Sequence, residues 1–477
     1  MKLAFLNFNG LFAVIFGINS PKTKKPKKAL INMLCVINIV SIMKTPKLFC
    51  LLKTDYILIS YTYDYIKKRS KMAISITDAL EIIYEKVTPK STHIVPIEEA
   101  LGAIVARNYE ATFDLPRFDN SAMDGYAVKV ADAGKEVVLK EVTYAGDVAE
   151  EGFSEGEVVK IMTGAPTPKG CEAIVAIETV EVTALGIKLP TDIKMNNFIR
   201  WRGEDIKSGT PFLFAKTKVT GYTLALLASQ GITHIEVYRQ PKVVIFSTGE
   251  ELKAHYEKIE EHQLYNSNAP MFVARAKELG CDVSFISTAG DTLESLKEAV
   301  VNAKDADLIL TSGGVSVGDK DFTKEAFSQL GMETYFSGVE IKPGKPTTFG
   351  KLENCIVVNL PGNPLAGMVN FEMFVKPTIA KLSGAERFYH GLIGTKMRSD
   401  YRLKAGKNSV ILGEWNGDSF EPLSNQKPGM VAPIGKADGM IVTTKEVEFL
   451  AKEQEVKMIA IKFNFQSEVK EDFFIRL

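Results

Sequence analysis

The stretch 307–324, DLILTSGGVSVGDKDFTK, sets chemistry-bearing residues at close spacing. Its apolar opening, Leu308-Ile309-Leu310, reads as a buried strand. The strand breaks into a glycine-rich turn at Gly313, Gly314 and Gly318, and Asp319 and Asp321 follow. The backbone N–H groups of such a turn can cradle an oxyanion. A bare carboxylate repels phosphate, and a divalent cation bridging the two removes the conflict. Three further loops have the same grammar of apolar run, small residues and polar groups. They are STGEE ending at Glu251, AGD ending at Asp291, and PGNP at 361–364. Glu251, Asp291 and Asp321 are hard oxygen ligands of the kind Mg²⁺ takes together with substrate phosphate. In PGNP, Pro364 suits the first turn of a helix, whose exposed amides make an anion site. Cations come from IKPGKP, where prolines stiffen a loop carrying Lys342 and Lys345. Taken singly, each carboxylate after a strand reads first as a helix N-cap, and the lysines read equally as a solvated pair. Together the set points to phosphoanhydride or oxyanion chemistry on a phosphorylated ligand.

These loops need a scaffold that brings them to one edge. Apolar runs at 243–248, 282–288, 307–311 and 355–360 alternate with helical patterns at 269–279, 293–303, 322–330 and 365–382. That alternation predicts a doubly wound parallel sheet over 235–385, with the glycine-rich turn and the STGEE, AGD and PGNP loops at the carboxyl ends of the strands. The fold class is therefore multidomain α/β plus β. Segments 72–117 and 200–234 read as an elongated helical, dimerising part, with helices starting near Ser75 or Thr77 and covering 97–105. Residues 118–199 read as a small inserted β domain, and 386–477 as a terminal β-barrel or sandwich.

The 477 residues carry no net charge, but 1–71 hold 13 Lys and Arg against two Asp, a net of +11. The rest of the chain is correspondingly acidic, which argues against nucleic acid as the main partner. Residues 1–71 contain no Glu and read as an over-extended upstream translation or a disordered tail rather than a targeting segment, with Met72 as the natural start. The apolar run at 31–40 is too short to span a bilayer. The five cysteines show no CxxC spacing and the five histidines no HxxxH pair, as in a reduced cytoplasmic chain without a zinc site.

From Met72 onward the chain resembles the molybdopterin molybdenumtransferase family, which includes the C-terminal domain of gephyrin. The resemblance rests on FDNSAMDGYAV (118–128), MTGAP (162–166), RWRGED (200–205), STGEEL (247–252), TSGGVSVGDKDFTK (311–324), KPGKP (342–346) and LPGNP (360–364), in the family's order. It implies a homodimer of four-domain subunits that inserts molybdate into adenylylated molybdopterin with Mg²⁺-dependent release of AMP. It also implies transient contact with a molybdopterin adenylyltransferase. Carried over by motif, Asp124, Thr163 and Asp205 line the cleft and face the sheet edge of the other subunit. Glu251, Asp291 and Asp321 hold Mg²⁺. Ser312, Gly313 and Gly314 cradle phosphate, Lys342 and Lys345 bind molybdate or the pterin phosphate, and Pro361, Gly362 and Asn363 line the same pocket. Lys320 departs from the pattern, since the family usually has a small or acidic residue there. Two rivals share these features: an adenylyltransferase, built on the same sheet, and a gephyrin-like scaffold without catalysis. MDGYAV and RGED argue against the first, and the intact acidic and lysine motifs against the second.

Overall fold

The computed structural model describes residues 3–8, 11–16, 73–148, 151–249, 251–286, 292–314 and 322–462. The chain forms two compact units, 1–72 and 73–477. In the first, Leu3–Phe8 and Leu11–Phe16 pair antiparallel, with Phe8 opposite Leu11. The remainder of 1–71 lies outside the described residues.

The second unit is built around a six-stranded sheet. Its strands are β1 (Lys242–Ser247), β2 (Asp282–Phe285), β3 (Leu308–Ser312), β4 (Glu333–Ser337), β5 (Thr348–Leu352) and β6 (Cys355–Leu360), in the order β2-β1-β3-β6-β5-β4. The first four strands in that order run parallel, as the strand–helix alternation predicts. The sheet is mixed rather than wholly parallel, because β5 and β4 continue it antiparallel. The cause is local. Only Glu353 and Asn354 separate β5 from β6, with Leu352 opposite Cys355, and so short a connection can join only antiparallel neighbours.

Helices α1 (Asn268–Glu278), α2 (Leu293–Asn302), α3 (Phe322–Gln329) and α4 (Pro364–Asn370) cover the sheet. Alternate residues of each central strand go to opposite faces. Val243, Ile245, Leu308, Leu310, Ile356 and Val358 pack with Phe272 of α1 and Leu365 of α4. Phe246, Ile309 and Val357 pack with Leu296 and Val300 of α2 and Phe327 of α3. A strand buried on both faces must be apolar throughout, which is why these runs read as continuous in the sequence.

After α4 the helix passes through a π turn, Phe371–Val375, into α5 (Lys376–Leu382). Pro377 explains it. Proline has no N–H to give the carbonyl four residues back, so Met373 O is released. His390 takes it, with Nε2 3.0 Å from Met373 O. A carbonyl only accepts, so Nε2 carries the proton.

The expected elongated helical part takes another form. Helix Ile76–Lys86, capped by Ser75 accepting from the Asp78 amide, packs Ala79 and Ile83 into the core shared with α5. Beyond a single 3₁₀ turn, Ile97–Glu99, residues 97–105 are not helical: a turn at 101–102 leads to bridged backbone at 104–105. Gly102 at φ +81° ends the turn, and Ile104 and Val105 bridge to Lys218 and Val237. Long-range strand pairing therefore overrides local helical spacing. Paired strands Thr92–Pro96 and His234–Tyr238 and helix Gly221–Ser229 complete this part.

Residues 125–188 contribute a six-stranded sheet, and the C-terminal region closes into a five-stranded barrel: Leu392–Met397, Ser419–Pro422, Ser409–Trp415, Gly439–Thr443 and Glu455–Ala460. Among the described residues, no helix is long and apolar enough to cross a membrane.

Candidate functional site

The carboxyl ends of β1, β3 and β6 meet in one row. Ser247 is paired with Ser312, and Ser312 with Leu360. The Thr248 amide donates to Ser312 O at 3.0 Å, and the Gly313 amide to Leu360 O at 3.2 Å. The loops that follow touch. A Cβ on Gly362 would lie 3.3 Å from Gly313 Cα. On Gly313, at φ +94°, it would lie 2.8 Å from Thr248 O, and on Gly314, at φ +59°, 2.1 Å from Thr323 Oγ1. Only glycine permits this approach. Glu251 is exposed, and its carboxylate folds back over Gly249, 2.7 Å from where a Cβ there would stand.

Around this cradle lie buried polar atoms with no hydrogen-bond partner among the described residues: Ser247 Oγ, Thr248 Oγ1, Thr323 Oγ1, Asn268 Oδ1 and Asn359 Nδ2. An unsatisfied buried polar atom costs about 1–3 kcal/mol, so five around one cradle are a liability unless something binds there. Asn268, at the start of α1, holds the loops together. Its Nδ2 lies 2.8 Å from Ser312 Oγ and 2.8 Å from Gly362 O.

The lysine loop is anchored to α4. Gly344, at φ +108°, packs against Asn370 so closely that a Cβ would lie 1.6 Å from Asn370 Nδ2. Thr347 Oγ1 donates to Asn370 Oδ1 at 2.8 Å, and Asn370 Nδ2 to Ala366 O at 2.7 Å. Lys342 and Lys345 are thereby presented on the surface, on the loop that docks against the helix following PGNP. Pro361 is buried, while Gly362 and Asn363 are exposed beside the cradle.

A second polar group belongs to the inserted sheet. The Thr163 amide and hydroxyl both donate to Asp124 Oδ1, each at 2.7 Å. These two bonds hold the Asp124 carboxyl below the usual carboxylate range. Both residues are exposed, as is Asp205. Asp205 is fixed by its amide donating to Leu115 O, in a loop that Arg202 ties to Asp114 at 2.6 Å. Among the described residues, no hydrogen bond or ion pair links these three to the strand-end cradle. Asp291 and Asp321 lie outside the described residues, as do Asp319 and Lys320. No group of three or more His, Cys, Asp or Glu comes together among the described residues. Burial pushes the Cys281 and Cys355 thiols up to about 12 and that of Cys171 up to about 11, so none of the three serves as a thiolate nucleophile at neutral pH.

Comparison with known proteins identifies this arrangement. Residues 74–231 match the family described as MoeA N-terminal region (domain I and II), and residues 244–381 the probable molybdopterin binding domain. The molybdopterin molybdenumtransferase of Haemophilus influenzae is 38% identical over 304 residues, covering 63% of this chain and 75% of that one. This chain belongs to the molybdopterin molybdenumtransferase family. The Staphylococcus epidermidis molybdopterin molybdenumtransferase is 32% identical over 392 residues, covering 79% of this chain and 92% of its own. The crystal structure of a molybdopterin biosynthesis protein from Pyrococcus horikosii superposes with a TM-score of 0.71 at 27% identity, over 82% of this chain and 100% of that one.

Within this molybdopterin molybdenumtransferase fold, sequence reasoning missed Asn268, Asn370 and the buried hydroxyls of Thr248 and Thr323. Thr248 and Thr323 stand inside quoted motifs, where a buried hydroxyl looks like any helix-start polar residue. For Asn268 the only signal is the run NSNAP, an asparagine just before Ala-Pro at a helix start. Asn370 carries none, since its role depends on Gly344, 26 positions away.

Proposed function

We propose that this chain inserts molybdate into adenylylated molybdopterin and releases AMP, as the family name implies. Its membership makes it a transferase of molybdenum cofactor biosynthesis. The observation that carries the finer reading is the cradle at the ends of β1, β3 and β6. It joins glycine backbone that can approach a phosphate closely with buried hydroxyls that lack partners among the described residues. Neutral hydroxyls and backbone N–H groups bind oxyanions without adding charge.

The donor set also fits Mg²⁺. The Glu251 carboxylate and the unpartnered hydroxyl oxygens of Ser247, Thr248 and Thr323 are hard ligands without soft competitors among them. Glu251, Asp291 and Asp321 would hold the ion, which would supply charge neutralisation at the phosphoanhydride. Ser312, Gly313 and Gly314 hold phosphate. Lys342 and Lys345 attract the dianionic molybdate, and Pro361, Gly362 and Asn363 bound the pocket. Asp124, Thr163 and Asp205 of a second subunit complete the cleft. Thr163 keeps Asp124 ionised and directed, so that it can orient water at the departing AMP.

The test uses the purified chain with adenylylated molybdopterin, molybdate and Mg²⁺, following AMP release and the activation of an apo-molybdoenzyme. Both should depend on molybdate and Mg²⁺. Accumulation of adenylate from ATP and molybdopterin would instead identify an adenylyltransferase, and no turnover of either kind would identify a scaffold. Asp321→Ala should abolish AMP release, and unchanged release with unchanged Mg²⁺ affinity would remove that residue from the metal site.

A further inference from the structure

A cavity of about 310 Å³ opens at the amino ends of the parallel strands, away from the cradle. Gln240 and Pro241, just before β1, line it, and so does Gly280, just before β2. In doubly wound sheets the substrate sits at the carboxyl ends, so the reaction makes no use of this edge. Three parts of the chain meet here: residues 101–104 and 218 of the N-terminal part, α5 of the central domain, and Ile459 and Ala460 of the barrel. Junctions of this kind are common places for small-molecule sites, and the volume falls at the lower end of their usual range, about 300–1,000 Å³.

We propose that this junction cavity is a second binding site, for a small organic anion with a planar or apolar body. Its lining includes Lys218, Arg239, Lys376 and Arg387, and no Asp or Glu among the described residues. That inverts the charge of the surrounding body, which from Met72 onward is acidic. Lys376 leans 3.5 Å from the buried Glu372, but Lys218, Arg239 and Arg387 make no ion pair with a described residue. Guanidinium groups bind phosphate or carboxylate through paired N–H donors and stack on flat rings.

The walls suit the ligand's body. Ile379, Leu279 and Ile459 supply apolar surface, and Tyr238, Phe388 and Tyr389 supply rings. The rings are held in place rather than loose. Phe388 and Tyr389 lie 4.4 Å apart by centroid, and Tyr84 sits against both, at 5.3 and 4.8 Å. Gly384 lies under Tyr238, where a Cβ would come within 2.4 Å of the ring. The ligand class follows from this pairing of unpartnered cations with fixed aromatic walls.

Isothermal titration of the full chain with 1-naphthyl phosphate tests this, with 1-naphthol and inorganic phosphate as the two halves of the probe. The whole probe should bind saturably and at least about tenfold more tightly than either half. The double variant Arg239→Gln/Arg387→Gln should weaken binding at least about tenfold, and Lys218→Gln by a smaller factor. Lys342→Gln, in the lysine loop, should leave it unchanged. Absence of saturable binding would overturn the proposal, as would equal affinity for either half. So would loss of binding in Lys342→Gln with retention in the double variant, since that pattern places the probe at the strand-end cradle. Each outcome reads binding alone and is independent of whether molybdate is inserted.

Discussion

The strand-end cradle and the Asp124–Thr163 pair solve opposite problems with similar residues. In the cradle the hydroxyls of Ser247, Thr248 and Thr323 are buried and lack partners among the described residues. In the inserted sheet the Thr163 hydroxyl and the Asp124 carboxylate are exposed, and the hydroxyl is bonded to Asp124 Oδ1. A buried group without a partner holds free energy that a ligand can release. An exposed group with a partner holds a charge and a direction, and gains little from further contacts. The first kind of region favours binding, and the second kind aims one side chain at something that arrives from outside.

That contrast can be broken at several points. The largest effect should come from Gly314→Ala, whose methyl would fall 2.1 Å from Thr323 Oγ1 and 2.9 Å from Thr248 Oγ1, at φ +59°. Strain and overpacking should cost about 1–3 kcal/mol in thermal or denaturant unfolding, with AMP release lost. Retained activity would mean that the cradle does not grip the substrate.

Thr248→Val and Thr323→Val should separate stability from activity. Each removes an unsatisfied hydroxyl, so the ligand-free protein should be as stable or more stable, by about 1 kcal/mol. Activity should fall by about tenfold per hydroxyl, the equivalent of one hydrogen bond to a charged group. A loss of stability instead would show that these hydroxyls serve the fold.

Asp124→Asn should do the reverse of Gly314→Ala. The residue is exposed, so the unfolding transition near neutral pH should barely move, while kcat should fall with KM little changed. In the parent chain, the depressed Asp124 pKa contributes stability above the ordinary carboxylate value of 3.8, which is lost as pH falls through the folded value. The variant should lack that part of the acid slope.

The smallest effect expected is at His390. Burial, with Lys376 nearby, lowers its pKa from the ordinary 6.5, opposed by the bond to Met373 O. The unfolded chain therefore takes up the proton first. Stability should be full above about pH 6.5 and decline as pH falls below it. His390→Gln should flatten that decline in a pH series of unfolding midpoints, and an unchanged decline would assign it to other groups.

The parallel core, the barrel and the motif loops were legible because each depends on patterns local to a few residues. Runs such as CIVVNL need burial on both faces, and Gly313-Gly314 mark a close backbone approach. The helix expected at 97–105 was not, because Gly102 and the pairings of Ile104 and Val105 with distant strands outweigh local spacing. The antiparallel extension by β4 and β5 is fixed by the two-residue turn at Glu353 and Asn354, which no motif marks. Within the site, the residues that do the holding, Asn268 and Asn370, are asparagines in helices. Their partners are set by tertiary structure alone.

The π turn at Phe371–Val375 makes one continuous rod into two phases. An extra residue within a turn rotates everything beyond it by about 100° around the axis. Before it, Asn370 faces the lysine loop, and after it, Lys376 and Ile379 face the junction with the barrel. Deleting one residue there would leave the motifs, the apolar content and nearly all of the sequence intact. It would also turn one half of the rod against the other, so that a chain could keep its lettering and lose its alignment.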